Sequence, residues 1–253
     1  LDSIEYIFID DCSSDKSMSI LQSVIDEFPD RKEDIVIIRH RVNTGQSGAR
    51  RDGMVVADGE YLIHCDADDW VEPEMYECMY DKAVQENVEA VCCDIALEYP
   101  HRTRVLHVNG MHDDHKLMYD CLVPISVEYL SMCNRMISRK VFERTTIEPF
   151  EGVNMWDDVG LSIRLRYHIK GTAVINKTFY HYNRFNNEST TKRPLMDRIK
   201  EQTLCIEYLE DFFHKQQDYD KYSRFISYLK IHSIEELFRK DAAAWLKAFR
   251  SER

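Results

Sequence analysis

Three groups of acidic side chains stand out because each one follows an apolar run or opens an amphipathic one. They are DDCSSD at residues 10–15, DADD at residues 66–69, and the pair Asp157 and Asp158. Crowded carboxylates repel one another unless positive charge lies among them. A divalent cation such as Mg²⁺ or Mn²⁺ would remove that repulsion, and it prefers hard carboxylate oxygens. Two or three carboxylates leave an octahedral shell incomplete, so water and a diphosphate would supply the other ligands.

Each group also has a structural interpretation. Asp and Ser in DDCSSD favour turns and helix N-caps. The pair Asp157 and Asp158 would gain from the dipole of a predicted helix, and its functional interpretation is a general base. A solvated loop explains DADD poorly. His181, between two tyrosines, is more often a packed residue than a ligand, and the loop NTGQSGARRDG with Arg50 is weak evidence alone.

Strands alternate with helices over the first hundred residues. The runs IEYIFID, DIVIIR, EYLIHC and EAVCCDI read as strands, and amphipathic segments separate them. This alternation predicts an α/β fold with a mostly parallel central sheet and flanking helices. Open α/β sheets bind ligands beyond the carboxyl ends of their strands. The first two acidic groups would therefore line one crevice if their strands are neighbours.

The pattern changes after about residue 97. HRTRVLHV reads as an edge or hairpin strand, MCNRMISRKVFE as a strand entering a helix, WDDVGLSIRLRYHIK as a helix and TAVINKTFYHYN as a strand. From Pro194 onward the pattern is helical, which predicts a helical appendage. Its last segment, AAAWLKAFRSER, suits a helix lying on a membrane surface, but packing against the protein or a second subunit is favoured.

Composition narrows the function classes. The chain has 253 residues, 44% of them hydrophobic, and a net charge of -12, which argues against nucleic-acid binding because phosphates need clustered basic residues. No apolar run approaches the length of a membrane span. Eight cysteines without a CxxC pair suggest reduced thiols, so we expect a cytoplasmic protein.

Five segments occur in a recognisable order: IFIDDCSSDKS, NTGQSGARRDG, DGEYLIHCDADDWVEPEMYE, MWDDVGLSIRL and FYHYN. Together they resemble the family 2 glycosyltransferases of the GT-A fold, the bacterial kind that builds capsule, lipopolysaccharide and other exopolysaccharides. The resemblance implies a Rossmann-like glycosyltransferase domain over residues 1–192. Residues 1–97 would bind the nucleotide sugar, residues 98–192 the acceptor, and residues 193–253 would form a C-terminal helical extension.

The resemblance also implies residue roles. Asp158 matches the catalytic base. Asp68 would bind Mn²⁺ or Mg²⁺, with Asp66 and His181 as further candidate ligands. The residues that would contact the nucleotide sugar are Asp10, Asp11, Asp15, Arg50, Asp66, Asp157, Tyr180 and Tyr182.

The implied activity is an inverting transfer of a hexose from a nucleoside diphosphate sugar, with a UDP-sugar as first candidate, to a saccharide or a lipid-linked saccharide. Peripheral contact with the inner face of the membrane and a homodimer are further expectations. Two alternatives stay open. One is a metal-dependent nucleotidyltransferase or phosphohydrolase that attacks phosphorus. The other is a non-catalytic sugar-binding relative.

Several positions depart from the family pattern. Asp157 stands where Glu is usual, Cys12 where Gly is usual, and His181 and Asn183 where aromatic and Arg residues are common. The family also opens with an apolar strand and a helix that would precede Leu1. We therefore expect a trimmed sequence whose first strand is missing.

Overall fold

The computed structural model describes residues 3–108, 130–186, 189–240 and 242. The strands are β1 Tyr6–Asp10, β2 Ile35–Arg39, β3 Tyr61–Leu62, β4 Trp70–Val71, β5 Ala90–Tyr99, β6 Arg102–Leu106, β7 Arg135–Ser138 and β8 Thr172–Asn183. The α-helices are α1 Ser17–Glu27, α2 Gly45–Val56, α3 Met75–Glu86, α4 Arg139–Thr145, α5 Asp157–His168, α6 Leu195–Lys215 and α7 Tyr219–Lys240. Short 3₁₀ helices cover Pro29–Asp34 and Thr190–Lys192.

The described strands form two sheets. β1 and β2 pair in parallel, and the larger sheet has the order β3-β7-β5-β8-β4, with β6 paired to β5. Within the larger sheet β5 and β8 are parallel, but β3–β7, β4–β8, β5–β6 and β5–β7 are antiparallel. The sheet is therefore mixed, whereas a mostly parallel one was expected. The two parallel pairs are joined by connections that contain helices, while a two-residue turn joins β5 to β6 and forces them to be antiparallel.

The predicted strand EYLIHC is shorter than expected. Only Tyr61 and Leu62 pair, with Ser138 and Ile137 of β7. The following residues leave the sheet and carry the DADD group. In the described part of the chain β1 pairs with β2 alone, so the sheet that carries the first acidic group is separate from the sheet that carries the second.

Helices cover both faces of β5. Its residues Val91, Cys93, Ile95 and Leu97 belong to a core cluster with Met75 and Met79 of α3. Ala90, on the opposite face, joins a cluster that includes residues of α4 and α5. A strand buried on both faces reads as a near-continuous apolar run, which is why AVCCDIAL shows no polar alternation.

Helices α6 and α7 share a core with α5. Val159 and Ile163 of α5 pack in one buried cluster with Leu209 and Phe213 of α6 and Phe225 of α7. The division of the chain at residue 192 remains a prediction. This shared core nevertheless means that the helical extension supports the element that begins with Asp157 and Asp158.

Gly160 permits a close approach at the same contact. A Cβ atom at this position would lie 2.8 Å from Cδ2 of Phe150 and 2.9 Å from Sγ of Cys205. We expect Gly160→Ala to lower the free energy of unfolding by about 1–3 kcal/mol, because both neighbours are packed and must shift. Thermal or urea unfolding measures the change.

Gly53→Ala is the matched control. Gly53 also lies inside a helix, but its added Cβ would meet Ile9 at an ordinary 3.6 Å. Alanine favours helix over glycine by up to about 1 kcal/mol, so this variant should be neutral or more stable. Equal stability of the two variants would show that the α5–α6 contact tolerates a methyl group.

Among the described residues no helix is long and apolar enough to cross a membrane. Seven of the eight cysteines lie in the described ranges, and all seven are free thiols there. Cys121 and all but the first residue of AAAWLKAFRSER lie outside the described residues.

Candidate active site

The first acidic group holds the start of α2. Asp11 accepts hydrogen bonds from Thr44 N (2.7 Å), Thr44 Oγ1 (2.8 Å) and Gly45 N (2.8 Å), and its Oδ1 contacts His40 Nδ1 at 2.8 Å. Burial acts to raise the pKa of Asp11, but these bonds outweigh it and lower the pKa below its usual value. Asp11 thus links the end of β1 to the N-terminus of α2, and its predicted contact with the nucleotide stays a prediction.

Asp10 and Asp15 form turn and cap contacts. Asp10 is buried and accepts bonds from Ser13 N (2.9 Å) and Arg39 Nε (3.1 Å), and the bonds from Ser13 lower its pKa the most. Asp15 is exposed and accepts from Ser17 N at the start of α1. Cys12 has a φ of 65°, a left-handed conformation that glycine adopts more easily. This explains why Gly suits the position.

Arg50 is the centre of the second and third acidic groups. Its Nε donates to Asp157 Oδ2 at 2.8 Å, and its Nη2 lies 3.9 Å from Asp66 Oδ1. Burial acts to lower the pKa of Arg50, but Asp157, Asp66 and Asp158 raise it above its usual value. The structure therefore joins α2, the loop after β3 and the start of α5 around one buried guanidinium.

Asp157 and Asp158 have different environments although they are adjacent. Asp157 is buried and paired with Arg50. Asp158 is only partly buried, and its Oδ1 accepts from Val159 N at 2.8 Å. Burial, with the negative charges of Asp157 and Asp66, raises the pKa of Asp158 to about 7, although Arg50 opposes the rise. A carboxylate that titrates near neutral pH can accept a proton in a reaction.

Tyr180 fixes the loop that carries DADD. It is fully buried, donates to Asp69 Oδ2 at 2.6 Å and accepts from Asp66 N at 3.1 Å. Asp69 also accepts from Asn183 N at 2.8 Å. Burial raises the pKa of Asp69 to about 6, although the bonds from Tyr180 and Asn183 oppose the rise. The sequence prediction did not include Asp69 in the site. The available signal was that Asp69 directly follows Asp66 and Asp68 in the DADD group.

Asp66 and Asp68 are the accessible carboxylates of the loop. Asp68 is exposed and accepts from Asn186 Nδ2 at 2.7 Å. Burial raises the pKa of Asp66, Asp157 and Asp68 add to the rise, and Arg50 opposes it. Their carboxylate oxygens suit Mg²⁺ or Mn²⁺. The described ranges contain no group of three or more His, Cys, Asp or Glu side chains placed to hold a metal ion, so a cation at Asp66 and Asp68 would take its other ligands from outside these side chains.

His181 makes other contacts. Its Nδ1 lies 2.8 Å from Glu98 Oε1 and its Nε2 lies 3.0 Å from Glu72 Oε1. Its ring stacks on Trp70 with centroids 5.2 Å apart. Successive side chains of a strand point to opposite faces, so His181 points away from the side of β8 that Tyr180 occupies. Both ring nitrogens are engaged, and His181 is not part of the metal site proposed below.

Three further side chains belong to the surroundings of the cluster. Burial raises the pKa of Tyr182, and the charges of Asp66 and Asp158 act on it in the same direction. Burial also raises the pKa of Cys133, with Asp66 and Asp158 again contributing. Burial and the charge of Arg50 lower the pKa of His64 well below its usual value. The sequence prediction missed Cys133 and His64. Each lies in a mostly apolar stretch that reads as a buried strand, and such a stretch gives no sign of a nearby charged cluster.

The model of the family described as Glycosyl transferase family 2 matches residues 1–146. That match includes more than half of the chain, with DDCSSD, Arg50 and DADD inside it. This chain belongs to glycosyl transferase family 2. The match ends before Asp157 and Asp158, so it does not include this pair.

Two relatives illustrate the family. The uncharacterized glycosyltransferase EpsJ of Bacillus subtilis is 32% identical over 210 residues, which is 78% of this chain and 58% of EpsJ. The poly(ribitol-phosphate) beta-glucosyltransferase of Bacillus spizizenii is 38% identical over 71 residues, which is 28% of this chain and 11% of that protein. The family 2 chain thus spans less than two thirds of the length of either relative.

A solved structure supports the fold. TarS of S. aureus in complex with UDP-GlcNAc superposes with a TM-score of 0.70 at 14% identity, over 96% of this chain and 70% of that chain. The family 2 chain therefore has the GT-A fold that was predicted, with its C-terminal helices in place.

Proposed function

We propose that the chain is an inverting glycosyltransferase that moves a sugar from a nucleoside diphosphate sugar to an acceptor hydroxyl. The observation that carries the proposal is the environment of Asp158. It is a partly exposed carboxylate whose pKa is raised to about 7, beside a neighbouring carboxylate that Arg50 neutralises. Two carboxylates in different environments are typical of a site where one acts as a base and the other holds structure.

In the proposed reaction Asp158 takes the proton of the acceptor hydroxyl while its oxygen forms a bond to C1 of the sugar. The bond between C1 and the diphosphate oxygen breaks at the same time, and the diphosphate leaves with the electron pair. Attack opposite to the leaving group inverts C1, through a transition state with oxocarbenium character. Arg50 holds Asp157 in its ion pair and thereby keeps Asp158 the accessible carboxylate of the pair.

Asp68, with Asp66, would hold Mn²⁺ or Mg²⁺. When bound, such a cation neutralises negative charge on the departing diphosphate. Asn186 orients Asp68 through its 2.7 Å hydrogen bond, and Tyr180 holds the backbone of Asp66. Asp10, Asp11 and Asp15 remain candidate nucleotide contacts, and Tyr182 remains a candidate contact of the donor phosphates.

A UDP-sugar is the proposed donor, because TarS binds UDP-GlcNAc and UDP in its solved structures. A saccharide or lipid-linked saccharide is the proposed acceptor, for synthesis of a cell-surface polysaccharide at the cytoplasmic side of the membrane. The glucosyltransferase named above acts on a poly(ribitol-phosphate), which supports a polymer as the acceptor class.

The test is a panel of nucleotide sugars with Mn²⁺ or Mg²⁺, screened by thermal shift and then by product analysis. A specific donor should raise the melting temperature, since a ligand stabilises the state that it binds. Transfer should release an intact nucleoside diphosphate and form a product with inverted C1. Release of a nucleoside monophosphate or of inorganic phosphate would indicate attack on phosphorus instead. No shift with any donor would favour a non-catalytic relative.

Asp68→Asn tests the metal assignment. The amide keeps the size of the side chain but removes its charge, so we expect the Mn²⁺-dependent part of the donor thermal shift to disappear. The shift without metal should stay as in the wild-type protein. Asp81→Asn, an exposed substitution on α3, is the control. A full Mn²⁺-dependent shift in Asp68→Asn would exclude Asp68 as a ligand.

A further inference from the structure

Helix α6 contacts the segment that leads into the catalytic pair. Glu201 Oε2 accepts hydrogen bonds from two consecutive backbone groups, Asn154 N at 3.1 Å and Met155 N at 2.6 Å. Its other oxygen pairs with Arg193 Nη2 at 2.7 Å. One carboxylate thus holds the backbone two and three residues before Asp157.

The same segment has a conformation that needs support. Trp156, which directly precedes Asp157, has a φ of 71°, in the left-handed region that side chains other than glycine rarely adopt. Such a residue persists only where the surrounding structure holds it. In the amide orientation that satisfies its neighbours, Gln202 accepts from Trp156 Nε1 at 3.2 Å and donates to Ser233 O at 3.3 Å. Two adjacent residues of α6 therefore hold three adjacent residues of the segment.

The other side of the segment meets α2. Asn154 Oδ1 lies 3.4 Å from both Ser47 N and Ser47 Oγ, which donate to it. Asn154 also lies where a Cβ at Gly45 would be, with its Oδ1 2.1 Å from that position. The segment is thus held between α6 and the helix that carries Arg50. Loss of the Glu201 carboxylate would leave the backbone amides of Asn154 and Met155 without the acceptor that holds them.

We propose that Glu201 is a positioning residue for Asp158. It sets the backbone that brings Asp157 onto Arg50 and leaves Asp158 accessible beside it. The inference rests on the proposed function, because it assigns Asp158 the role of base. Glu201 is suited to this role as an anion: burial acts to raise its pKa, but bonds from Arg193, Met155 and Asn154 lower it below its usual value.

The experiment compares Glu201→Ala and Glu201→Gln with wild-type protein. Glu207→Ala is the matched control, because Glu207 is exposed on the same helix. In Glu201→Ala we expect kcat to fall roughly tenfold to a hundredfold, the loss that a misplaced reacting group causes. The donor KM should stay within about twofold, since a positioning defect acts on the transition state. Glu201→Gln keeps an acceptor for the two amides and should recover most of kcat.

Hydrogen exchange gives a readout that does not depend on activity. The amides of Asn154 and Met155 should lose protection in Glu201→Ala and keep it in Glu207→Ala, because exchange reports local opening. Wild-type kcat in a folded Glu201→Ala protein, or unchanged exchange at both amides, would overturn the inference. Absence of transfer by wild-type protein would instead contradict the proposed function. In that case the exchange comparison alone decides whether Glu201 holds the segment.

Discussion

Asp158→Asn is expected to lower the rate of sugar transfer by roughly 10²- to 10⁴-fold, the usual contribution of a general base. An amide of the same size cannot accept the acceptor proton at neutral pH. Donor binding should stay close to that of the wild-type protein, because Asp68 and Arg50 are intact. Initial rates at saturating donor, with donor binding measured separately, give the comparison. A variant that keeps the wild-type rate would rule out Asp158 as the base.

The same substitution should stabilise the protein at alkaline pH. The pKa of Asp158 is raised from 3.8 to about 7, so the folded protein binds this proton more tightly than the unfolded chain. Stability is therefore lost as the pH rises from about 4 to 7, and the loss is complete above 7. A pKa difference of this size corresponds to about 4 kcal/mol, and we expect about 1–2 kcal/mol because Asp158 is partly solvated.

Melting temperatures of wild-type protein and Asp158→Asn at two pH values provide the measurement. The variant should melt higher than wild type at pH ~8, and the difference should become small near pH ~3, below the unfolded pKa, where the carboxyl is mostly protonated in both the folded and the unfolded state. A pH-independent difference would show that the effect comes from packing and not from the charge of Asp158. Both the donor and divalent cations must be absent from these samples, because a bound cation would change the charge around Asp158.

Arg50→Met should have the largest effect on stability. Arg50 pairs with Asp157 at 2.8 Å inside the protein, and its charge also interacts with Asp66 and Asp158. Removing one partner of a buried pair leaves an uncompensated charge and typically costs about 3–5 kcal/mol. Methionine keeps the apolar volume, so the loss reports mainly the charge. Denaturant unfolding at neutral pH measures it.

Two controls separate charge from packing in this experiment. Arg51→Met removes a neighbouring guanidinium that contacts Asp52 and is 42% exposed, and surface pairs are worth about 0–1 kcal/mol. The double variant Arg50→Met with Asp157→Asn removes both charges and should recover a large part of the lost stability. No recovery in the double variant would mean that the guanidinium acts through its shape and not through its pairing with Asp157.

Local patterns predicted many of the elements. β8 has the bounds of the predicted segment TAVINKTFYHYN, because its long β-branched and aromatic run ends in turn-forming residues. Helices α3 and α5 and the hairpin strand β6 also lie where the pattern of apolar residues in the sequence predicted them. Such signals arise from backbone preferences and burial within a few residues, and neither depends on distant partners.

The order of the motifs in the sequence also indicated the family, and the residue types alone identified the three acidic groups. The type of each side chain is enough to name the chemistry that it could perform. The side-chain types did not predict that Asp11 binds the N-terminus of α2 while Asp66 and Asp157 lie around Arg50. That separation depends on which strands are neighbours, and β1 turned out to lie in a different sheet from β3.

The tertiary structure alone decided which of these groups act together. Arg50 and Asp157 are 107 positions apart, and Asp69 and Tyr180 are 111 positions apart, yet each pair is in direct contact. The raised pKa of Asp158 depends on burial first, then on the charge of the adjacent Asp157, with Arg50 and Asp66 acting from other segments. Glu201 reaches its two amides from a helix that local patterns described only as an appendage. Composition and spacing determine which residues can react. Packing determines their neighbours, and charges in a buried cluster respond to those neighbours rather than to their place along the chain.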